Sequence, residues 1–253
     1  MVRLDKWFIA NKLTLNAKKT SFTIFRSSRS RIKDLPDKLI FNNSEINRSS
    51  SVTYLGVLLD EHLTFKNHVQ KVCNSIKMFF KVFYNIRRYL DTKQIEILYY
   101  SLIYSRIKYG IIIYGYSSKK NIKKIQTLQN QILKVLSNEN YRFSTKDIHN
   151  RYNLLYVNDI FYQEKLAFVF NYKNNNLPSV FDSYYKCFSD VHNISTRNAH
   201  ERFILPICKT NIGLLTQRVN GAKIWNDLDN SLKVISNIKM FKSSLREMIL
   251  KYR

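Results

Sequence analysis

Near Phe65 the hydrophobic residues change their spacing, and that change limits what this chain can fold into. Upstream, Phe22, Ile24, Leu39 and Phe41 alternate with polar neighbours at a period of two, the mark of half-buried strands. Downstream, Val69, Val72, Cys73, Ile76, Phe79, Phe80, Phe83, Ile86 and Leu90 fall on one face of a helix. A short helix from Val2 precedes the strands. The pattern predicts an α+β fold, with a small antiparallel sheet at the N-terminal end followed by a mainly helical remainder. The expected segments are 1–62, 63–140 and 141–253.

In the first segment, Phe41-Asn42-Asn43-Ser44-Glu45-Ile46 reads as a hairpin turning through Asn42 and Asn43, which tolerate positive φ. Val52 to Leu59 reads as one β-rich run with Gly56 inside it. That glycine marks either a close approach to the backbone or a bulge. In the second segment, Lys66, Lys77, Lys81 and Arg88 gather beside the apolar helix face, as a solvated flank or as a ridge that follows phosphates. Asp91 and Gln94 form a capping box for a helix running to Tyr109 before Gly110. Its apolar residues lie nearly all round, which predicts a central position.

A third amphipathic helix is expected from about Lys120 to Leu136 through Ile122, Ile125, Leu128 and Ile132. Lys119, Lys120, Lys123 and Lys124 crowd its start, against the helix dipole, a placement that suits an anionic partner. The last segment holds a helix over Asn158 to Tyr172, then an irregular stretch between Asn174 and Asn211 with Pro178 and Pro206. Helices over Leu214 to Leu228 and Ile238 to Tyr252 follow.

Charge narrows the partner. Lys and Arg number 42 against 18 Asp and Glu, a formal charge of +24 over 253 residues. AT-rich codons account for part of the lysine bias, yet so large a charge works against compaction unless a polyanion neutralises it. RNA and DNA are therefore the expected partners. The three cysteines are too scattered for a disulfide framework, so a reducing compartment, cytoplasm or nucleus, is expected. No secretory signal is visible in the first residues. The apolar stretch from Ile95 to Tyr116 carries Glu96, Arg106 and Lys108, which suits a buried helix and not a bilayer. Cys187, His192, His200 and Cys208 are zinc-type ligands, but their spacing is too open for a tight site, so no metal is expected. Hydrolase and kinase chemistry has no motif in the chain.

Three blocks carry a family resemblance. Trp7-x-x-x-Asn11-x-Leu13-x-Leu15-Asn16-x-x-Lys19-Thr20 resembles the helix and strand after the active-site hairpin in the palm of non-LTR (LINE-type) retrotransposon reverse transcriptases. Tyr54-Leu55-Gly56-Val57 through Asp60, Leu63, Phe65 and His68 is similar to their primer-grip strand and the start of their thumb, continued by Leu102, Tyr109-Gly110 and Tyr114. Thr196-Arg197, Pro206, Gly213, Arg218, Gly221, Trp225-Asn226 and Phe241 resemble the tail of jockey-like elements. Leu228-Asp229 departs from the Leu-Pro often found there, which leaves the local turn open.

The resemblance implies a palm edge, a thumb and a C-terminal helical domain that hold a template and primer. By the same resemblance, Tyr54, Leu55 and Gly56 form the primer grip, unless they pack as an ordinary strand. Lys19 matches a lysine that assists pyrophosphate departure, unless it is a plain surface lysine. Tyr54, Phe80 and Tyr84 are candidates for stacking on bases. Polymerase chemistry needs carboxylates converging on Mg²⁺ ions. In this family they include a Tyr-x-Asp-Asp hairpin, and the sequence contains no adjacent Asp-Asp pair. Asp5, Asp34, Asp37 and Asp60 show no spacing that would aim two of them at one point. The expectation is a chain that begins after the metal site, holds no cofactor and does not polymerise alone.

Overall fold

In the computed structural model, residues 2–30, 35–41, 44–188 and 202–252 are described. The fold is α+β, and the chain forms two compact units, Met1–Lys71 and Val72–Arg253.

The first unit opens with helix α1 (Val2–Ala10). Phe8 packs edge-on against Phe41, with ring centroids 6.0 Å apart, while Trp7 stays 55% exposed. Asn11 ends the helix, its side-chain amide donating to the Trp7 carbonyl at 2.8 Å. Asn16 then accepts from the Lys19 N–H and caps a single 3₁₀ turn, Ala17–Lys19. Strands β1 (Ser21–Phe22), β2 (Lys38–Phe41) and β3 (Ser44–Arg48) form one sheet in the order β1-β3-β2. β2 and β3 pair antiparallel with Phe41 opposite Ser44; the conformation of Asn42 and Asn43 lies outside the described residues.

β1 pairs parallel to β3, so the sheet is mixed and not wholly antiparallel as the alternation suggested. Period-two patterning reports which face is buried and carries no information on strand direction. Ile24 falls beyond the strand, where Thr23 Oγ1 donates to the Ser49 carbonyl instead. Glu61 ties the unit together by accepting from Arg48 at 2.7 Å and from Arg26 at 3.4 Å.

The expected single run from Val52 to Leu59 is a hairpin. β4 (Ser51–Tyr54) and β5 (Val57–Asp60) pair antiparallel with Tyr54 opposite Val57, leaving Leu55 and Gly56 as a two-residue turn.

Helix α2 (Lys66–Lys77) carries the boundary between the units, and α3 (Phe79–Ile86) follows after a break at Met78. Val69, Val72, Cys73, Ile76 and Phe83 are buried, as the helical spacing predicted. Three residues before the break, the Ser75 hydroxyl donates to the Val72 carbonyl at 2.8 Å, a side-chain bond that competes with the helical ladder.

The second unit continues with α4 (Thr92–Leu98), a π-helical segment Tyr99–Tyr104 and α5 (Ser105–Lys108). The capping box is present: Gln94 N–H donates to Asp91 at 2.7 Å and Asp91 N–H to the Gln94 side chain at 2.9 Å. Ile95, Tyr99, Ile103 and Ile107 are buried at intervals of four. Four residues overshoot an α-helical turn by about 40°, and the wider π turn takes that drift back. The helix is therefore central on one side only, since Ile97 and Tyr109 are exposed. Gly110, with φ 69°, turns the chain into α6 (Ile111–Tyr114).

α7 (Lys119–Leu136) buries Ile122, Ile125, Leu128, Ile132, Leu133 and Leu136 and packs against α3. Gln129 is fully buried in this stripe and donates to the Tyr99 hydroxyl at 2.6 Å and the Leu155 carbonyl at 2.9 Å. After α8 (Thr145–Arg151), α9 (Val157–Lys173) packs against α6, α7 and the C-terminal helices.

The expected helix over Leu214 to Leu228 is broken into α10 (Asn211–Leu215), a π-helical segment Gln217–Gly221 and α11 (Ala222–Asn226). Gly213 weakens the ladder, and the Thr216 hydroxyl takes its carbonyl at 2.7 Å, so the chain extends at Thr216. Asp229 settles the open turn: it caps α12 (Asn230–Lys233) by accepting from Ser231 N–H at 2.8 Å. α13 (Ile238–Lys251) closes a core of Phe170, Tyr185, Phe203, Trp225, Phe241 and Leu245. No described helix is long and apolar enough to cross a membrane.

Candidate nucleic-acid interface

The hairpin of the first unit ends in an unusual tip. Leu55 and Gly56 both have positive φ, 45° and 81°, the requirement of the two-residue turn whose twist matches its strands. Gly56 is thus explained by backbone conformation, and not by a bulge. Leucine is a poor choice for the other position, because its Cβ crowds the left-handed backbone at a cost of about 1–3 kcal/mol. Its side chain is 74% exposed, beside Tyr54 at 66%.

Two side chains of α2 hold the tip. Lys71 Nζ donates to the Gly56 carbonyl at 3.3 Å, and the buried His68 accepts the Leu58 N–H on Nδ1 at 3.2 Å. Burial, and secondarily the charge of Lys71, keep the His68 imidazole below its usual range. His68 is therefore a neutral acceptor, and that contribution to stability is lost as pH falls below about 6.5.

Asp60 shapes the connection between hairpin and helix. Its carboxylate accepts the N–H groups of His62 at 3.2 Å, Thr64 at 3.0 Å and Phe65 at 2.8 Å, which holds Leu63 and Phe65 at positive φ. Burial alone would raise its pKa, but these donors outweigh burial and bring it below the usual carboxylate range. The stabilisation is present at neutral pH and is lost as pH falls through that lowered value. Asp60→Ala should destabilise the first unit by about 2 kcal/mol in urea unfolding at pH 7. The difference from the unaltered protein should shrink in acid.

Leu55→Asn gives a contrasting outcome. Asparagine accepts the left-handed backbone, so unfolding should move to higher temperature, by about 1 kcal/mol of stability.

In the second unit the expected ridge residues Lys77, Lys81, Arg88, Lys119, Lys120, Lys123 and Lys124 are all exposed. α3 and α7 pack together, and the charges of Lys77 and Lys124 both bear on the buried Cys73 thiol, so these lysines of two different helices lie near one point. The first turn of α7 has no acidic residue; Ser118 alone caps it, accepting from Asn121 N–H. Among the described residues, none of these cations forms an ion pair, whereas Lys108, Lys242 and Arg151 do. Tyr84 is exposed with the Arg87 guanidinium 3.8 Å from its ring centre, while Phe80 is half-buried and less available for stacking.

Lys66 starts α2 and Lys19 ends its 3₁₀ turn; both are exposed and belong to the first unit. Lys71 went unnoticed in the sequence, although it sits one helical turn after His68 and shares its face. No group of acidic, histidine or cysteine side chains able to hold a metal occurs among the described residues. Cys187 and Cys208 are half-buried, and His192 and His200 lie outside the described residues. The Thr196-Arg197 part of the third block lies outside them too.

Sequence comparison places a class of protein beside these observations. The chain is similar to RNA-directed DNA polymerases of non-LTR retrotransposons. One is the RNA-directed DNA polymerase from mobile element jockey of Drosophila funebris, 28% identical over 57% of this chain and 16% of its own length. Two from Drosophila melanogaster are described as probable RNA-directed DNA polymerases. The one from transposon X-element is 24% identical over 62% of this chain and 17% of its own length. The one from transposon BS is 26% identical over 43% of this chain and 12% of its own length. No protein-family model and no solved structure matches.

Proposed function

We propose that this chain is the template–primer-holding part of a retrotransposon RNA-directed DNA polymerase. In this reading residues 1–62 are a palm edge with a primer-grip-like hairpin, 63–140 a helical thumb and 141–253 a C-terminal helical domain. The observation that carries it is the exposed Tyr54-Leu55 tip, held in a costly backbone conformation by Lys71 and His68. Backbone strain at an exposed position is a common mark of a functional contact. Lys77, Lys81, Lys119, Lys120, Lys123 and Lys124 supply the phosphate contacts, which fix a duplex in place without reading its sequence.

The sequence contains no adjacent Asp-Asp pair, and in this reading the chain contributes grip and not bond formation. Lys19 is an exposed lysine. Expected locations are the cytoplasm or nucleus, with RNA and DNA as partners. Titrating an RNA–DNA template–primer at increasing salt tests the grip. Affinity should fall linearly on a log–log plot with a slope of about −0.9 per phosphate contacted, and scrambled sequences should bind equally. A flat curve removes the electrostatic grip.

A second reading is a decayed element fragment without activity. The exposed Leu4, Trp7, Ile9, Leu13, Phe25 and Ile40 of the first unit favour it, because apolar side chains left in water promote association. Cooperative unfolding of a monomeric sample separates the two readings: the decayed fragment aggregates or melts without a transition.

A further inference from the structure

The third resemblance block has no part in the grip, yet two of its residues, Pro206 and Arg218, line one cavity in the second unit. The cavity measures about 180 Å³ and is lined by Tyr184, Tyr185, Lys186, Ile204, Pro206 and Arg218. Pro206 and Arg218 line it directly. Gly221 makes room beside it: a Cβ there would lie 2.6 Å from the Tyr185 hydroxyl and 2.7 Å from Gln217 Nε2. Asn226 holds the residue before Ile204, its side-chain amide accepting from Phe203 N–H at 2.9 Å and donating to the Phe203 carbonyl at 2.8 Å.

The walls are rigid. Ile204 N–H donates to the Lys186 carbonyl at 2.9 Å, and the Tyr185 hydroxyl donates to the Gln217 carbonyl at 3.0 Å. Tyr184 and Tyr185 stand nearly perpendicular, at 86° and 5.0 Å between centroids. Arg218 sits in a π-helical turn in which Gln217, Val219 and Gly221 point inward, which leaves its own side chain outward. Such turns frequently mark functional positions. Among the described residues, no carboxylate lines the cavity and neither Lys186 nor Arg218 forms an ion pair.

Two cations and two phenol rings around a small rigid recess suit a ligand with a flat face and a negative charge. The volume is below the roughly 300–1,000 Å³ of a cofactor or drug site, so the ligand is one small unit. Aromatic faces for a base and cations for its phosphate are the means by which single strands are held. We infer that this cavity binds one unpaired nucleotide of a single-stranded RNA or DNA, with the base against Tyr184 and Pro206 and the phosphate between Lys186 and Arg218. The site goes beyond the duplex grip, because a base inside a duplex cannot enter the recess.

Fluorescence anisotropy on the full chain tests it, with labelled oligouridylate, labelled oligothymidylate and a blunt RNA–DNA duplex as probes. Tyr184→Ala with Arg218→Gln should weaken binding of the single strands by about tenfold and leave duplex binding within about twofold. Glutamine at Lys77, Lys81, Lys123 and Lys124 should instead weaken duplex binding far more than single-strand binding. A preference between the two oligonucleotides assigns the site to RNA or to DNA. Arg218→Gln alone, a change at an exposed side chain, gives a smaller loss of the same kind and guards against misfolding of the double variant. Single-strand affinity equal to that of the unaltered protein overturns the proposal, and so does an equal loss on single strands and duplex.

Discussion

Glutamine at Lys77, Lys81, Lys123 and Lys124 together is expected to lower template–primer affinity by on the order of a thousandfold at about 0.1 M salt. The size follows from counterion release: each lost phosphate contact removes about 0.9 from the log–log salt slope, so four contacts change it by about 3.6. Near 1 M salt, where the electrostatic contribution vanishes, the variant and the unaltered protein should bind alike. Stability should barely change, within about 0.5 kcal/mol, because the four side chains are exposed and form no ion pair among the described residues. Loss of affinity without loss of stability separates a ridge that meets phosphates from a solvated flank. A slope unchanged by the four substitutions would show that the duplex is held elsewhere.

Trp225→Ala is expected to destabilise the second unit by about 3–5 kcal/mol. Trp225 is 2% exposed, and its ring lies 6.1 Å from Phe241 and 6.5 Å from Phe203. Phe241 in turn stacks on Phe170 of α9 at 4.6 Å, so the cavity left by the indole opens between three elements. A domain of this size is stable by about 5–15 kcal/mol, which places the variant near the edge of folding at physiological temperature. Trp7→Ala is the contrast. That indole is 55% exposed, and its removal should shift the urea midpoint by little. Urea unfolding followed by circular dichroism distinguishes the two, and equal shifts would contradict the division into a packed and an exposed tryptophan.

Where periodicity spans many turns, the sequence was enough to place the element. α7 and α13 fall within a residue or so of their expected limits, because apolar stripes of several turns leave one solution. The Asp91–Gln94 capping box was legible because its chemistry is local. The interruptions were not. A pattern of apolar residues cannot report that the α2–α3 run breaks at Met78, that Thr216 ends α10, or that a π turn absorbs the four-residue repeat from Ile95 to Ile107. Gln129 was hidden for a similar reason: a buried amide in an apolar stripe makes sense only once Tyr99 and the Leu155 carbonyl are seen beside it.

The candidate site was legible in its residue types more than in its geometry. The lysines were visible as a cluster, but the break at Met78 and the packing of α3 on α7 decide which of them lie together. Tyr54-Leu55-Gly56 read as part of a strand because Val52, Thr53, Tyr54 and Val57 around them are strand formers. The left-handed backbone of Leu55 is imposed by pairing on both sides, Tyr54 opposite Val57 and Thr53 opposite Leu58. The grip of Lys71 on the Gly56 carbonyl depends on that turn and has no signature of its own.

Primer extension read on a native gel tests the central claim most directly. Purified protein is mixed with a labelled RNA–DNA template–primer, Mg²⁺ and all four deoxynucleotides. The expected result is a shifted complex whose primer keeps its length. Elongated primer that tracks with the protein, or no shift at low salt, would contradict a chain that holds the template and primer without copying it.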